Sequence, residues 1–252
     1  MSLSISIHVD GYYGLVDGVP RLLDLFDKYG IKATFFVNMG REASIFQLLK
    51  YRDKNNTNKS DSKIASRYTR LQMLKIAFLS RPLGHAHPKI LRDIKKRGHE
   101  VEPHCWSHLL WHRNFENINH LAEIQKMKKG YFGIFGEDPK GFVPPTWKYN
   151  KKVIDCLKKE GFSYISVKGP GKRVTKEEGL KVIPLSFSQN IEELLNEGKT
   201  DSEILEIYDK ELKKSYVHLY FHADYEGIRG LKIFEEFLRK IKEKTTMLCK
   251  EL

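Results

Sequence analysis

From residue 3 to residue 246 the chain alternates short apolar runs with short amphipathic ones, and this alternation narrows its possible folds more than any other feature. LSISIHV (3–9) is Ile-rich and alternating, as a strand is. GVPRLLDLFDKYG (18–30) has apolar residues at helical spacing, Pro20 near its start and Gly30 at its end, so it predicts a capped helix. KATFFV (32–37) is a short apolar strand of the kind buried on both faces. This strand–helix–strand unit implies a right-handed parallel crossover. The pattern then repeats. Residues 89–104 read helix, Gly98, strand; a helix follows at roughly 118–132, then a strand ending in a rigid loop at 141–147. Helix 150–161, strands 162–167 and 182–187, helix 202–214, strand 216–224 and a last helix over roughly 228–246 complete it. Such alternation predicts an α/β barrel or a doubly wound sheet. No linker divides the chain, so residues 1–252 are expected to form one catalytic domain. An insertion at about 41–83 interrupts it, with a polar loop tip at 54–63 and a helix at 71–84 ended by Pro82 and Gly84.

The 40% hydrophobic and 12% aromatic content excludes a disordered chain. No apolar run approaches the roughly 18 residues of a membrane-spanning helix. The start, MSLSISIHVDG, reads as a first strand and not as a leader peptide. Three cysteines, Cys105, Cys156 and Cys249, are too few and too odd for a disulfide framework and fit a reducing cytoplasm. A net charge of +12 favours anionic partners, but the cations are scattered along helices and no nucleic-acid motif accompanies them.

Three constellations could carry chemistry, each at the carboxyl end of a predicted strand, where parallel α/β folds build their sites. In HEVEPHCWSH, His104 and His108 lie four apart, the spacing that puts two imidazoles on one face of a helical turn for metal chelation. His8 and Asp10 alternate on the first strand and so point the same way, although Asp10-Gly11 could equally be a plain turn. His222 ends the strand YVHLYFH, with Asp224 and Glu226 just beyond. Together they offer two imidazoles and a carboxylate with coordination positions left open, plus a further titratable group, as a catalytic metal site needs.

Asp10-Gly11, His104 to His108, Pro144-Pro145 and His222, taken in order, resemble the motifs of the NodB-type polysaccharide deacetylase family, carbohydrate esterase family four. The resemblance spans nearly the whole chain. HVDGYYG, GVPRLL (18–23), GHAH (84–87), HEVEPHCWSHLLWH (99–112) and HADYEG (222–227) are more similar to the branch that deformylates a formamido-arabinose linked to undecaprenyl phosphate. The resemblance implies a distorted (β/α)7 barrel with a divalent metal at its carboxyl face. That metal is usually zinc, with Co2+, Ni2+ or Mn2+ as alternatives. It implies Asp10, His104 and His108 as ligands and His222 as general acid. It also places Pro145, Trp147, Lys148 and Glu226 among the residues that meet substrate. His8 stands where the branch has its aspartate base, Val143 where the family has an arginine, and Val167 near the place of the aspartate that orients the base partner. His8 could be a neutral base, a fourth ligand, or the mark of lost activity. Trp147-Lys148 fits the branch's basic residue after a tryptophan, and Glu100 or Glu226 could replace the missing aspartate.

The expected function is metal-dependent hydrolysis of the amide C–N bond of an N-acylated, lipid-linked or free amino sugar by a cytoplasmic hydrolase. The rival is a catalytically weak protein that binds a sugar or a polyprenyl phosphate; nucleic-acid binding through the positive surface is a third reading. IASRYTRLQMLKIAFLSRPLG, at residues 64–83 and just beyond, is both basic and apolar. It could cover one end of the barrel or touch an anionic membrane, at the inner membrane face, beside a lipid-linked substrate.

Overall fold

The computed structural model describes residues 2–41, 82–169, 171 and 173–252. The expected insertion, with its loop tip at 54–63, its helix at 71–84 and the basic apolar stretch at 64–83, lies outside the described residues apart from its ends. The first strand is central. β1 (Ser2–Val9) pairs in parallel with β2 (Thr34–Asn38) on one side and with β8 (Tyr216–His222) on the other. β2 pairs in parallel with β3 (Glu100–Cys105), giving a sheet of order β3-β2-β1-β8. A second sheet runs β4 (Gly141–Phe142), β5 (Tyr164–Val167), β7 (Leu180–Pro184), β6 (Thr175–Glu177).

Two seams close these sheets into a barrel. At one, Lys140 N donates to Glu102 Oε2 at 2.9 Å, tying β3 to the start of β4. At the other, β6 occupies the free edge of β7 as an antiparallel partner. Closure onto β8 therefore happens just past β7, where Ser186 N donates to His218 O and His218 N donates to Ser186 Oγ, both at 3.0 Å. The result is a distorted (β/α)7 barrel: β1, β2, β3, β4, β5, β7 and β8 run parallel and β6 hangs on one edge. Of the two folds open to the sequence, the barrel is the one formed.

The alternation of β1 sorts its side chains. Leu3, Ile5, Ile7 and Val9 are fully buried in the main core. Ser4 and Ser6 face instead the Sγ of Cys249, and Ser6 Oγ meets His218 Nε2 at 2.6 Å. Nine helices cover the outside among the described residues: α1 (Val19–Tyr29), α2 (Leu83–Ala86), α3 (Pro88–Lys96), α4 (His108–Arg113), α5 (His120–Phe135), α6 (Lys151–Lys159), α7 (Ile191–Asn196), α8 (Asp201–Glu211) and α9 (Leu231–Ile241). α1 shows how the sequence sets the bounds. Pro20 sits in its first turn, Leu22, Leu23 and Phe26 bury, and Gly30 closes it at φ 65° while Ile31 N donates to Phe26 O. Not legible were the π-helical turn Gly14–Gly18, the exposed polar strand β6, the short helix α7 and the tail after α9. That tail plugs the amino-terminal mouth of the barrel. Met247 N donates to Leu3 O, Cys249 N to Thr34 Oγ1 and Lys250 N to Glu100 Oε2.

The barrel wall also holds a carboxyl group with a measurable signature. Burial pushes Glu102 up to about 8, with Glu100 beside it acting in the same direction. The folded chain thus holds a proton that the unfolded chain releases near 4.5, so this contribution is full below that value and is lost as pH rises towards 8. Glu102→Gln is expected to flatten the decline and to stabilise the protein by on the order of 2–4 kcal/mol at about pH 8. Urea unfolding at about pH 5 and about pH 8 reads this. Parallel pH dependence in the two proteins would refute it.

Candidate metal centre and active site

The site lies at the carboxyl mouth of the barrel. His8 and His222 are register partners on neighbouring parallel strands, so their side chains sit side by side, ring centroids 5.3 Å apart. Asp10 follows β1 and is held by a reversed anchor. The backbone N–H groups of Asp10, Gly11 and Gly14 converge on the Asp224 carboxylate at 3.1, 3.4 and 3.2 Å. Gly14 is required there, because a Cβ on it would lie 2.4 Å from Asp224 Oδ2.

His104 arrives differently from the sequence expectation. It and His108 do not share a helical turn: His104 belongs to β3 and His108 opens α4. Cys105 ends the strand and Ser107 caps the helix, its Oγ accepting from Leu110 N. The register between β2 and β3 slips here, pairing Val37 with Pro103 but Asn38 with Cys105. His104 is the extra residue of that bulge, and bulges re-aim side chains. Its Nε2 ends 3.4 Å from Asp10 Oδ1. Its Nδ1 donates to Val143 O at 2.8 Å. The position where an arginine was expected therefore acts through its backbone carbonyl.

Asp10, His104 and His108 bring one ligand atom each within 4.8 Å of one another, and so do His8, Asp10 and His222. Asp10 Oδ1 and His8 Nε2 are buried without a hydrogen-bond partner. Such orphaned atoms and a His/Asp donor set are what a divalent cation would satisfy, so the residues fit one. Burial, then the neighbouring His104 and His222, push the His8 imidazole well below its usual range. Burial, outweighing Asp10, lowers His104 as well. For Asp10 burial acts upward, but His222, His108, His104 and His8 together hold the carboxyl below the usual carboxylate range.

The remaining expected residues divide. Pro145 is buried in the loop after β4. That loop puts Thr146 and Trp147 at φ 53° and 62°, a strained pair for residues other than glycine. The strain delivers the Trp147 ring 5.2 Å from His8 and 5.0 Å from Tyr220, roofing His8. Lys148 is exposed and its ammonium donates to His112 O on α4. Glu226 lies under the mouth, fully buried, with its oxygens taken by the backbone N–H groups of His222 and Glu192. It shapes the turn after β8. Two contributors were missed, Tyr220 and Asn190, the latter with Nδ2 2.8 Å from His222 Nδ1, and Asp224 was named beside His222 without its role as anchor of the Asp10 loop. The Asn190-x-x-Glu193 spacing is the one trace the sequence carries there, and it points to a helix cap, not to His222.

Comparison with known proteins supplies the family. The polysaccharide deacetylase family model matches residues 4–165, more than half the chain and including Asp10, His104 and His108. The chain belongs to the polysaccharide deacetylase family. It is 26% identical over 256 residues to a probable 4-deoxy-4-formamido-L-arabinose-phosphoundecaprenol deformylase, ArnD, of Shewanella sediminis (strain HAW-EB3), covering 96% of this chain and 81% of that one. It is 28% identical over 244 residues to the protein of the same description from Wigglesworthia glossinidia brevipalpis, covering 88% and 81%. Among solved structures, a candidate polysaccharide deacetylase of Mycobacterium smegmatis superposes with a TM-score of 0.64 at 18% identity, covering 96% and 85%. That last likeness is one of fold. As a member of this family the chain is a hydrolase of carbon–nitrogen bonds other than peptide bonds. Among the described residues, no helix is long and apolar enough to cross a membrane.

Proposed function

We propose that this polysaccharide deacetylase family member removes a formyl or acetyl group from the nitrogen of a lipid-linked amino sugar, using a divalent cation held by Asp10, His104 and His108. The observation that carries this reading is the convergence of those ligand atoms beside His8 and His222 at one barrel mouth. The description of the Shewanella relative supports the formyl group and the lipid carrier. Zinc suits the donor set best, with Co2+, Ni2+ and Mn2+ as alternatives.

Asp10, His104 and His108 would hold such an ion, which when bound would supply polarisation of the acyl oxygen and a lowering of a water's pKa towards about 7. The protein's own residues do the rest. His8, kept neutral by burial, takes the water proton at Nε2, which no other group engages. Trp147 and Tyr220 pack against its ring and keep bulk water away. As the C–N bond breaks, the proton that His8 took goes on to the leaving nitrogen, beside the Nε2–H that His222 turns towards Asp10. That transfer returns His8 to its neutral form. Trp147 is the residue placed to meet the sugar.

The test is release of formate or acetate from N-formyl and N-acetyl amino sugars, free and on a polyprenyl phosphate, with one equivalent of zinc and with a chelator. Metal-dependent release, fastest on the lipid-linked formamide, is the expected result. A chain that binds zinc and the lipid-linked sugar yet releases no acid would instead be a binding protein on this fold.

A further inference from the structure

Two candidate triads share Asp10, and the structure distinguishes them through an asparagine. Asn190 is fully buried and caps the amino end of α7. Its Oδ1 accepts from Glu193 N at 2.8 Å, while Glu193 Oε2 accepts from Asn190 N at 3.2 Å. Reversing the amide would set its NH2 against the Glu193 N–H, donor against donor in a buried cap. The cap therefore fixes which way the amide points, and Nδ2 is the atom 2.8 Å from His222 Nδ1. An NH2 group can only donate, so His222 Nδ1 accepts and the neutral ring carries its hydrogen on Nε2.

His104 is set the other way. Its Nδ1 meets the Val143 carbonyl, which only accepts, so its hydrogen is on Nδ1 and its Nε2 lone pair faces Asp10 Oδ1. The two histidines flank one carboxylate with opposite tautomers. His222 Nε2 lies 3.6 Å from Asp10 Oδ2 and presents hydrogen there, which leaves no lone pair for a cation.

We infer that Asn190 is a positioning residue that fixes the hydrogen of His222 on Nε2, keeping His222 out of metal coordination and turning an N–H towards Asp10. This rests on the metal site proposed above, and the test separates the two. Histidine-selective 15N NMR of the full chain without metal, at alkaline pH where imidazoles are neutral, reports the tautomer directly; loss of one ring's signals in His222→Gln assigns it. The wild type is expected to show His222 as the Nε2–H form. Asn190→Asp still caps α7 well, but offers His222 an acceptor. It is expected to switch the ring to Nδ1–H and to raise bound zinc from one to two per chain at saturation. A wild-type His222 with its hydrogen on Nδ1, or a tautomer unchanged in Asn190→Asp, overturns the inference. An Asn190→Asp ring that switches while zinc stays at one per chain overturns the claim about coordination. A wild type with the expected tautomer that takes up no zinc leaves Asn190's role standing and removes the metal reading instead.

Discussion

Replacing both His104 and His108 by alanine is expected to leave a folded protein with less than about a tenth of an equivalent of zinc, where the wild type holds about one, and with activity down by more than about a thousandfold. In the proposed set these two imidazoles are the partners of Asp10. Without them Asp10, partly open to solvent, keeps only His8 and His222 beside it, and the Nε2 hydrogen of His222 leaves a donor set too small to retain zinc. The fold should survive for a stated reason. His104 is buried and its loss strands the Val143 carbonyl, a cost of about 1–3 kcal/mol, whereas His108 is only half-buried at the start of a six-residue helix. Elemental analysis beside a thermal melt followed by circular dichroism reads both halves. Equal zinc in the two proteins would move the metal away from this triad.

His8→Ala is expected to act on turnover and not on metal. Its ring is not among the three proposed ligands, and its free Nε2 is the group placed to take a proton. Loss of a general base lowers kcat by about a hundredfold to ten-thousandfold, so zinc content should stay near one equivalent while kcat drops within that range. His8→Asp should keep substantial activity, because a carboxylate of shorter reach can serve as base at the same strand position. A fall in zinc affinity in His8→Ala, matched by the fall in kcat, would make His8 a ligand. Activity appearing only in His8→Asp would mean that the natural histidine silences the site.

Much of this was legible because strand ends are legible. The apolar runs ended by Asp10, His104 and His222 put those residues at the carboxyl ends of predicted strands, the end at which parallel α/β folds carry chemistry. What escaped was whatever depends on contacts between distant segments. The His104–His108 spacing suggested a helix, and a bulge in β3 followed by a Ser107 cap achieves the same convergence without one. Glu226 reads as a residue beyond a strand, yet the turn folds it under and spends its carboxylate on two backbone amides. Asn190 looks like an ordinary cap, because nothing near it in sequence announces a histidine 32 residues away. β6 was hidden because all three of its residues are polar and exposed, leaving no burial pattern to read.

The position of β1 has a kinetic consequence. One of its edges is filled by β2, close by in sequence, while the other waits for β8, and the carboxylate that steadies the Asp10 loop comes from Asp224, 214 residues further on. Contacts of such long range form slowly, because chain entropy must be lost before they return anything. Until then Ile5 and Ile7 sit on an open, apolar strand edge of the kind that recruits other chains. Refolding should therefore be dilution-sensitive, and uptake of a cation should follow barrel closure instead of guiding it.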